Sequence, residues 1–547
     1  MPARSDATVK RVTLVACILG SGIALLDGTV VNVALPTIQR ALGGGLAAQQ
    51  WVANGYLLTL GSLILVGGSL GDLYGERNVF ALGVAAFGAA SALCAVSPSI
   101  GFLVAARALQ GVAGALLVPS SLAVIVNTFG ASERGGAIGT WTAWGAIAGV
   151  LGPLAGGELL AIASWRWIFL INVPLAALCV WLILSVIPQS ARRDRHGRRV
   201  DYPGALLCAL GLGGPVFALI EQPRLGWSSP SVYGPLIAGA VLLAVFGLYE
   251  SRAKDPMLPL RLFRRRNFSA GNIETFAMYA GLAIVFFFLV LFLQQIGGYT
   301  PLQSGMATLP ATVMMFFLSR RFGALADRFG PRFFMGAGPL IAAAGLLLFQ
   351  NTGLKADYVS EVLPALLIFS LGLSLTVAPL TAAVLAGSER EAGIASGVNN
   401  AIARVAGLLA VAALGAVVAS SFSSSIDGSL AGRPLSPAAR QAVVEAKRRT
   451  IARADVAHVP PAERPVVARA VQDASVHAFR LGLGLSAALV SLGGLLGLIG
   501  IVNPRRAVRC EDCPGGALAG APAEAGNDRL PAVALPGSRP RPLPSAS

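Results

Sequence analysis

The chain alternates long apolar runs with short polar connections. Fourteen stretches of about 20 mainly apolar residues stand out, at 12–35, 51–71, 79–97, 102–127, 137–160, 167–187, 203–221, 232–250, 269–293, 303–321, 333–350, 361–386, 394–421 and 479–502. Runs of that length fit helices that cross a bilayer, whereas a membrane β-barrel shows shorter segments of alternating polarity. The pattern predicts an all-α polytopic membrane protein with fourteen transmembrane helices.

Loop charges support the even count. Lys10 and Arg11, Arg192 to Arg199, Arg252 to Arg266, Arg320 to Arg332 and Arg505 to Arg509 fall on one side of the alternation. The opposite short loops hold Arg40, Arg166, Arg224 and Lys355. Basic loops stay cytoplasmic, so both termini are expected there. The first apolar stretch is long and has no small-residue cleavage site behind it, so it reads as a retained helix.

A decapeptide occurs twice in the pattern G-x-L-x-D-x-x-G-x-R. One copy runs from Gly68 through Asp72 and Gly75 to Arg77, the other from Gly323 through Asp327 and Gly330 to Arg332, 255 residues later. Ser132-Glu133-Arg134 and Ser388-Glu389-Arg390 repeat at nearly the same offset. Matching signatures at matching spacing indicate internal duplication, as in many secondary transporters. The halves are 12–188 and 269–502, each a six-helix bundle, with two inserted helices in 189–268 between basic loops that suit an anionic leaflet. Residues 1–11 form a cytoplasmic N-terminus, and the Pro/Ala/Gly-rich tail 503–547 has the composition of a disordered cytoplasmic segment.

The external loop 422–478 predicts a helix starting at Ser436-Pro437 and broken by Pro460 and Pro461, hence two short surface helices. They form either a lid over the outer mouth or a passive linker.

Composition narrows the function. The chain is 55% hydrophobic and 12% charged, and its net charge of +16 sits in loops, so nucleic acid is not an expected partner. Cys17, Cys94, Cys179 and Cys208 fall inside apolar spans, and Cys510 and Cys513 form a lone C-x-x-C, half a zinc site at best. The three histidines lie in loops or near an external end, and no phosphate-binding loop is present. No enzyme constellation appears, and no metal or cofactor is expected.

Ionisable groups within spans are functional candidates because charge is costly in a bilayer. Asp27 in the first span and Arg107 in the fourth sit at similar depths, and can face one another as a proton switch or as a structural ion pair. Glu274 lies about two turns into the ninth span, where it can carry a proton, bind a cation or reach the interface. Arg404 lies deep in the thirteenth span, with Asn399 and Asn400 beside it to offer amides to a cavity or a neighbouring helix. Tyr56, Trp141, Trp144, Phe276 and Tyr279 line a ligand cavity or simply pack in the core. The run Gly145, Gly149, Gly152, Pro153, Gly156 and Gly157 permits close helix approach, and Pro153 bends its helix, which suits tight packing and also a hinge or seal. The decapeptide glycines permit a tight turn, and its aspartate can cap a helix or pair with arginine, a staple able to open and close.

These residues together resemble the major facilitator superfamily, and within it the fourteen-helix drug:proton antiporters of the multidrug efflux type. The decapeptides resemble that superfamily's loop 2–3 motif and its C-terminal copy. Arg107-Ala108-Leu109-Gln110-Gly111 with Gly114 resembles its span 4 motif, and Gly145 through Gly157 its antiporter-associated span 5 motif. Asp27-x-Thr29-x2-Asn32-Val33-Ala34-Leu35-Pro36 is similar to the span 1 signature of the fourteen-helix branch, and Ser164-Trp165-Arg166-Trp167-Ile168-Phe169-x2-Asn172-x-Pro174 to its entry to span 6. The resemblance covers residues 10–505.

It implies alternating access between two rocking bundles in a bacterial inner membrane. Small amphipathic compounds such as drugs, antibiotics or toxic metabolites would leave as protons enter, driven by the proton motive force. It implies proton coupling at Asp27, modulated by Arg107, and a cytoplasmic gate at Asp72 and Arg77. Glu274 joins the coupling candidates. Asn32, Tyr56, Trp141, Trp144, Tyr279, Asn399, Asn400 and Arg404 are the candidate cavity residues; Gly68, Gly75, Asp327 and Arg332 complete the gate. The tenth and thirteenth spans lack the acids some dication exporters of this branch carry, and Arg404 stands in the thirteenth, which favours a neutral, monocationic or anionic substrate. The expected partners are a small-molecule substrate and the lipid bilayer, and the expected state is monomeric. A dedicated single-metabolite exporter, a symporter and a transport-shaped membrane sensor are the alternatives.

Overall fold

The structure is a computed structural model and describes residues 6–187, 200–385, 392–451 and 453–503. The Ser388-Glu389-Arg390 segment, the basic loop 188–199 and the tail with Cys510 and Cys513 lie outside the described residues.

The first half comprises α1 (Asp6–Leu42), α2 (Leu46–Tyr74), α3 (Glu76–Ala95), α4 (Ile100–Thr128), α5 (Ala131–Ile162) and a sixth span split into α6 (Trp167–Leu170) and α7 (Asn172–Val186). The inserted pair is α8 (Tyr202–Leu225) and α9 (Pro230–Arg252). The second half opens with α10 (Arg266–Ile284), which passes through a π-helical turn, Val285–Leu289, into α11 (Val290–Gln295). Then come α12 (Pro301–Ala307), α13 (Leu309–Phe329), α14 (Pro331–Leu348), α15 (Leu363–Leu385), α16 (Ala392–Leu430), α17 (Pro437–Arg449) and α18 (Arg464–Gly500).

Among the described residues, thirteen helical segments are long and apolar enough to cross a membrane. The remaining expected span is α5, a 32-residue helix that includes the apolar stretch Ile147–Ile162. The chain is a polytopic α-helical membrane protein.

The two halves repeat one packing scheme. In the first, α2 and α3 pack on α4, α1 on α5, and α3 on α7. In the second, α13 and α14 pack on α15, α10 on α16, and α14 on α18. These are the same pairings by position in each bundle. Across the halves, α2 meets α16 while α5 meets α12 and α13, again equivalent contacts exchanged between repeats. The inserted α8 lies in the seam against both α2 and α16, where the Trp51 indole donates to Glu221 Oε1 at 3.1 Å, and α9 packs on α8.

Both decapeptides form helix–helix turns, with Gly75 (φ 89°) between α2 and α3 and Gly330 (φ 84°) between α13 and α14. Only glycine adopts that backbone without strain. Eight spans separate the two turns, so both lie on one face, called here the decapeptide face. The α1–α2 turn lies on the opposite, far face.

The long loop differs from the expected pair of surface helices. α17 forms where predicted, capped by Ser436 Oγ, which accepts from Ala439 N at 3.2 Å. The second helix is no separate element. Glu463 accepts from Ser436 Oγ at 2.7 Å, and α18 begins at Arg464 and runs unbroken into the last span. Pro465 lies in its first turn, where its missing N–H costs nothing.

Candidate functional site

Asp27 and Arg107 meet in the interior of the first half. Both are fully buried and form an ion pair through Nη1 and Oδ2. The other carboxylate oxygen, Oδ1, accepts from Gln110 Nε2 at 2.9 Å and from Asn172 Nδ2 at 3.0 Å. Arg107 Nη1 also donates to Gln110 Oε1 at 2.6 Å, and its Nε to the Val52 carbonyl at 3.1 Å. Ser91 Oγ accepts from Gln110 at 2.8 Å and from Asn172 at 3.4 Å. The Tyr56 ring lies 4.5 Å from the guanidinium carbon, a cation–π contact. Four helices, α1, α3, α4 and α7, thus converge on one carboxylate, while α2 supplies the ring and the carbonyl.

Sequence reasoning named Asp27, Arg107 and Tyr56 but missed Gln110, Asn172 and Ser91. Gln110 follows Arg107 by three residues and so shares its helix face. Asn172 stands at the helix break between α6 and α7. Ser91, one more small residue in an apolar span, carries no such signal.

Glu274 is not part of this network. It is fully buried on α10, and neither carboxylate oxygen has a hydrogen-bond partner. It faces α18, where a methyl group on Gly497 would sit 2.3 Å from Oε2. Close by in sequence, Asn399 Nδ2 of α16 donates to Thr275 Oγ1 at 2.6 Å and to Asn272 Oδ1 at 3.1 Å. Those bonds make Asn399 a link between α10 and α16, so of its two readings its amide serves the neighbouring helix and not the cavity. Asn400 is buried, with its Nδ2 unpartnered.

Arg404 of α16 lies opposite Gly61 of α2, where a methyl group would meet the Arg404 Cβ at 3.5 Å. Its electrostatic neighbours are Tyr56 and Tyr279. Trp141 is buried, and its indole donates to the Cys17 carbonyl at 3.3 Å, so it ties α5 to α1 in the core and is corrected from a cavity residue. Trp144, one turn later, is 51% exposed. Asn32 is half-buried on α1, and Glu158 is exposed.

The glycine run of α5 faces two partners. Methyl groups on Gly152 and Gly156 would meet Thr29 Oγ1 at 2.0 Å and Val30 Cγ2 at 2.4 Å on α1. One on Gly157 would meet Leu302 Cα of α12 at 2.5 Å, and one on Gly305 would meet the Pro153 carbonyl at 2.5 Å. Gly149 has open space. The run is therefore a seam that lets the halves touch. Three further side-chain hydrogen bonds between described residues cross from half to half, all toward the far face. Gln294 Nε2 donates to the Val33 carbonyl at 2.9 Å, Gln295 Nε2 to Gln39 Oε1 at 3.4 Å, and Gln50 Nε2 to the Val411 carbonyl. The end of α17 adds to this closure, since a methyl group on Gly45 would lie 1.8 Å from the Arg448 carbonyl oxygen. The far face is shut. Gly157→Leu is expected to prop it open at a cost of about 1–3 kcal/mol in this conformation alone. Transport should fall about tenfold or more with ligand binding retained; equal loss of both would point to misfolding.

The decapeptides act within their own halves. Arg77 Nη2 donates to the Leu184 carbonyl at the end of α7 at 2.9 Å, and Arg332 Nε to the Leu498 carbonyl at the end of α18 at 2.7 Å. Each copy thus holds the last carbonyls of its half's sixth helix, a favourable place for a cation. Asp72 is exposed near the end of α2. Gly68 sits beside Pro119 of α4, and the side chain of Asp327 lies outside the described residues. Arg77→Ala and Arg332→Ala are each expected to cost about 1 kcal/mol in thermal unfolding and to leave the cross-half contacts unchanged.

Residues 17–411 match the sequence profile of the Major Facilitator Superfamily. The chain belongs to the major facilitator superfamily. This superfamily member is 38% identical over 411 residues to the puromycin resistance protein of Streptomyces alboniger, covering 74% of this chain and 81% of that one. It is 36% identical over 412 residues to the tetracenomycin C resistance and export protein of Streptomyces glaucescens, covering 75% and 76%. It is 33% identical over 435 residues to the multidrug resistance protein Stp of Mycobacterium tuberculosis, covering 79% and 80%. In fold it is similar to a bacterial homologue of the lysosomal transporter Spinster, solved inward-facing, with a TM-score of 0.61 at 16% identity over 91% of this chain and 99% of that one. The protein is a membrane transporter.

Proposed function

We propose that the transporter exports small amphipathic compounds, antibiotics among them, by proton antiport. The observation that carries this reading is the Asp27–Arg107 pair. It is the described carboxylate–guanidinium pair sealed inside a transmembrane bundle, and Tyr56 connects it to the α2–α16 seam. A proton arriving on Asp27 removes the charge that holds Arg107. The guanidinium then needs other partners, and helices α1 and α4 lose their strongest mutual contact. Such a change biases one packing of the halves over another, which is what coupling requires. Export of drugs is supported by relatives named for resistance to puromycin, tetracenomycin C and several drugs.

In this reading the protein sits in the bacterial inner membrane with its basic loops and both termini on the cytoplasmic side, and the shut far face is the outer mouth. α17 then lies over that mouth as a lid. Glu274, buried without a partner, is the alternative coupling acid. The test is drug uptake into inside-out vesicles driven by an imposed pH gradient. Uptake that stops when a protonophore collapses the gradient is expected. Uptake indifferent to the protonophore would reject antiport.

A further inference from the structure

Arg404 is a part-buried cation whose chemistry is left incomplete. Its Nε is shielded from solvent and has no hydrogen-bond partner. Among the described residues no carboxylate pairs with it, and its electrostatic neighbours are two phenols, Tyr56 from α2 and Tyr279 from α10. Arg107, in the other half, shows what a permanently buried guanidinium normally acquires: a carboxylate, an amide oxygen and a backbone carbonyl. Arg404 has none of these. A guanidinium offers five donors and does not deprotonate, and holding one unpaired within a membrane is costly.

Its surroundings fit a ligand better than a structural partner. The side chain stands where α16 crosses α2, at the boundary of the halves, with only the hydrogen of Gly61 facing it: a methyl group there would be in ordinary contact with its Cβ at 3.5 Å. Part of it remains accessible, as cavity exposure requires. The phenols of Tyr56 and Tyr279 are close enough to interact with the charge. Charge, donors and rings together suit a planar apolar compound that carries an acidic group.

We propose that Arg404 is the anchor for the substrate's anionic group, so that planar organic anions bearing a carboxylate or phenolate are the preferred substrates. This rests on the transport cavity lying between the halves, and is independent of how protons are coupled.

The test is equilibrium binding of two dyes sharing one xanthene scaffold, anionic fluorescein and cationic rhodamine 6G, to the purified full chain in detergent, followed by fluorescence anisotropy. Wild type is expected to bind fluorescein at least about tenfold more tightly. Arg404→Gln is expected to erase that preference by weakening fluorescein about tenfold or more, with rhodamine 6G unchanged or improved, and Arg404→Lys to restore part of it. Thermal unfolding separates a structural role, since Arg404→Gln removes an unpaired charge and should leave stability equal or higher. A wild-type preference for rhodamine 6G, binding of neither dye, or an equal loss of both in Arg404→Gln would overturn the proposal. Loss of gradient-driven uptake with this binding pattern intact would reject the antiport reading alone.

Discussion

Asp27→Asn is expected to reduce pH-gradient-driven transport by at least about a hundredfold, while exchange of labelled for unlabelled substrate across the membrane persists. The substitution keeps the shape and can keep the bonds from Gln110 and Asn172, but it removes the only charge paired with Arg107 among the described residues. Taking away one partner of a buried ion pair costs about 3–5 kcal/mol, and each 1.4 kcal/mol is about a factor of ten. Exchange needs no net proton movement and so survives if the fold does. Arg107→Ala should be worse, because it strips away the ion pair, the bonds to Gln110 and the Val52 carbonyl, and the cation beneath Tyr56 together. Both readouts are available in proteoliposomes. If gradient-driven transport survives in Asp27→Asn, coupling moves to Glu274.

Gly111→Val is expected to cost about 3 kcal/mol and to abolish transport. Gly111 lies where α4 crosses α2. A single methyl group there would sit 2.1 Å from Thr59 Oγ1, 2.3 Å from the Tyr56 carbonyl and 3.1 Å from Leu60 N. Two of these are backbone atoms, which no side-chain rotation relieves. The helices must part, and with them go the Thr59 bond to the Ala108 carbonyl at 2.8 Å and the placement of Tyr56 over Arg107. Gly149→Ala is the control, since that position has open space. Thermal unfolding in detergent should show a clear drop for Gly111→Val and none for Gly149→Ala. Equal stability would mean that the α2–α4 crossing is looser than drawn here.

Span positions, the duplicated halves and the meeting of Asp27 with Arg107 were legible because each leaves a strong local mark. Apolar length marks a crossing, a repeated glycine turn marks a repeat, and a charge in an apolar run stands out against its neighbours. What escaped depends on the third dimension. Asn172 and Ser91 become important only because α7 brings one to the Asp27 carboxylate and α3 brings the other to the amides of Gln110 and Asn172. Trp141 and Trp144 lie in the same apolar sequence, yet one is core and the other exposed. The decapeptide reads in sequence as a staple between helices, and only the structure shows that its arginines reach the carbonyls of Leu184 and Leu498 on the sixth helix of their own half. Composition likewise could not show that α16 and α18 continue beyond the apolar stretch as helix. Their extensions are polar enough to read as loop, and packing against one another and α17 holds them.

The most direct measurement is proton release by the purified transporter in weakly buffered detergent on addition of a compound that the vesicle assay shows to be exported. If binding of substrate and proton are linked through Asp27, wild type should release on the order of one proton per molecule bound, and Asp27→Asn should bind and release none. Equal release from both proteins, or binding by wild type without release, would contradict the account.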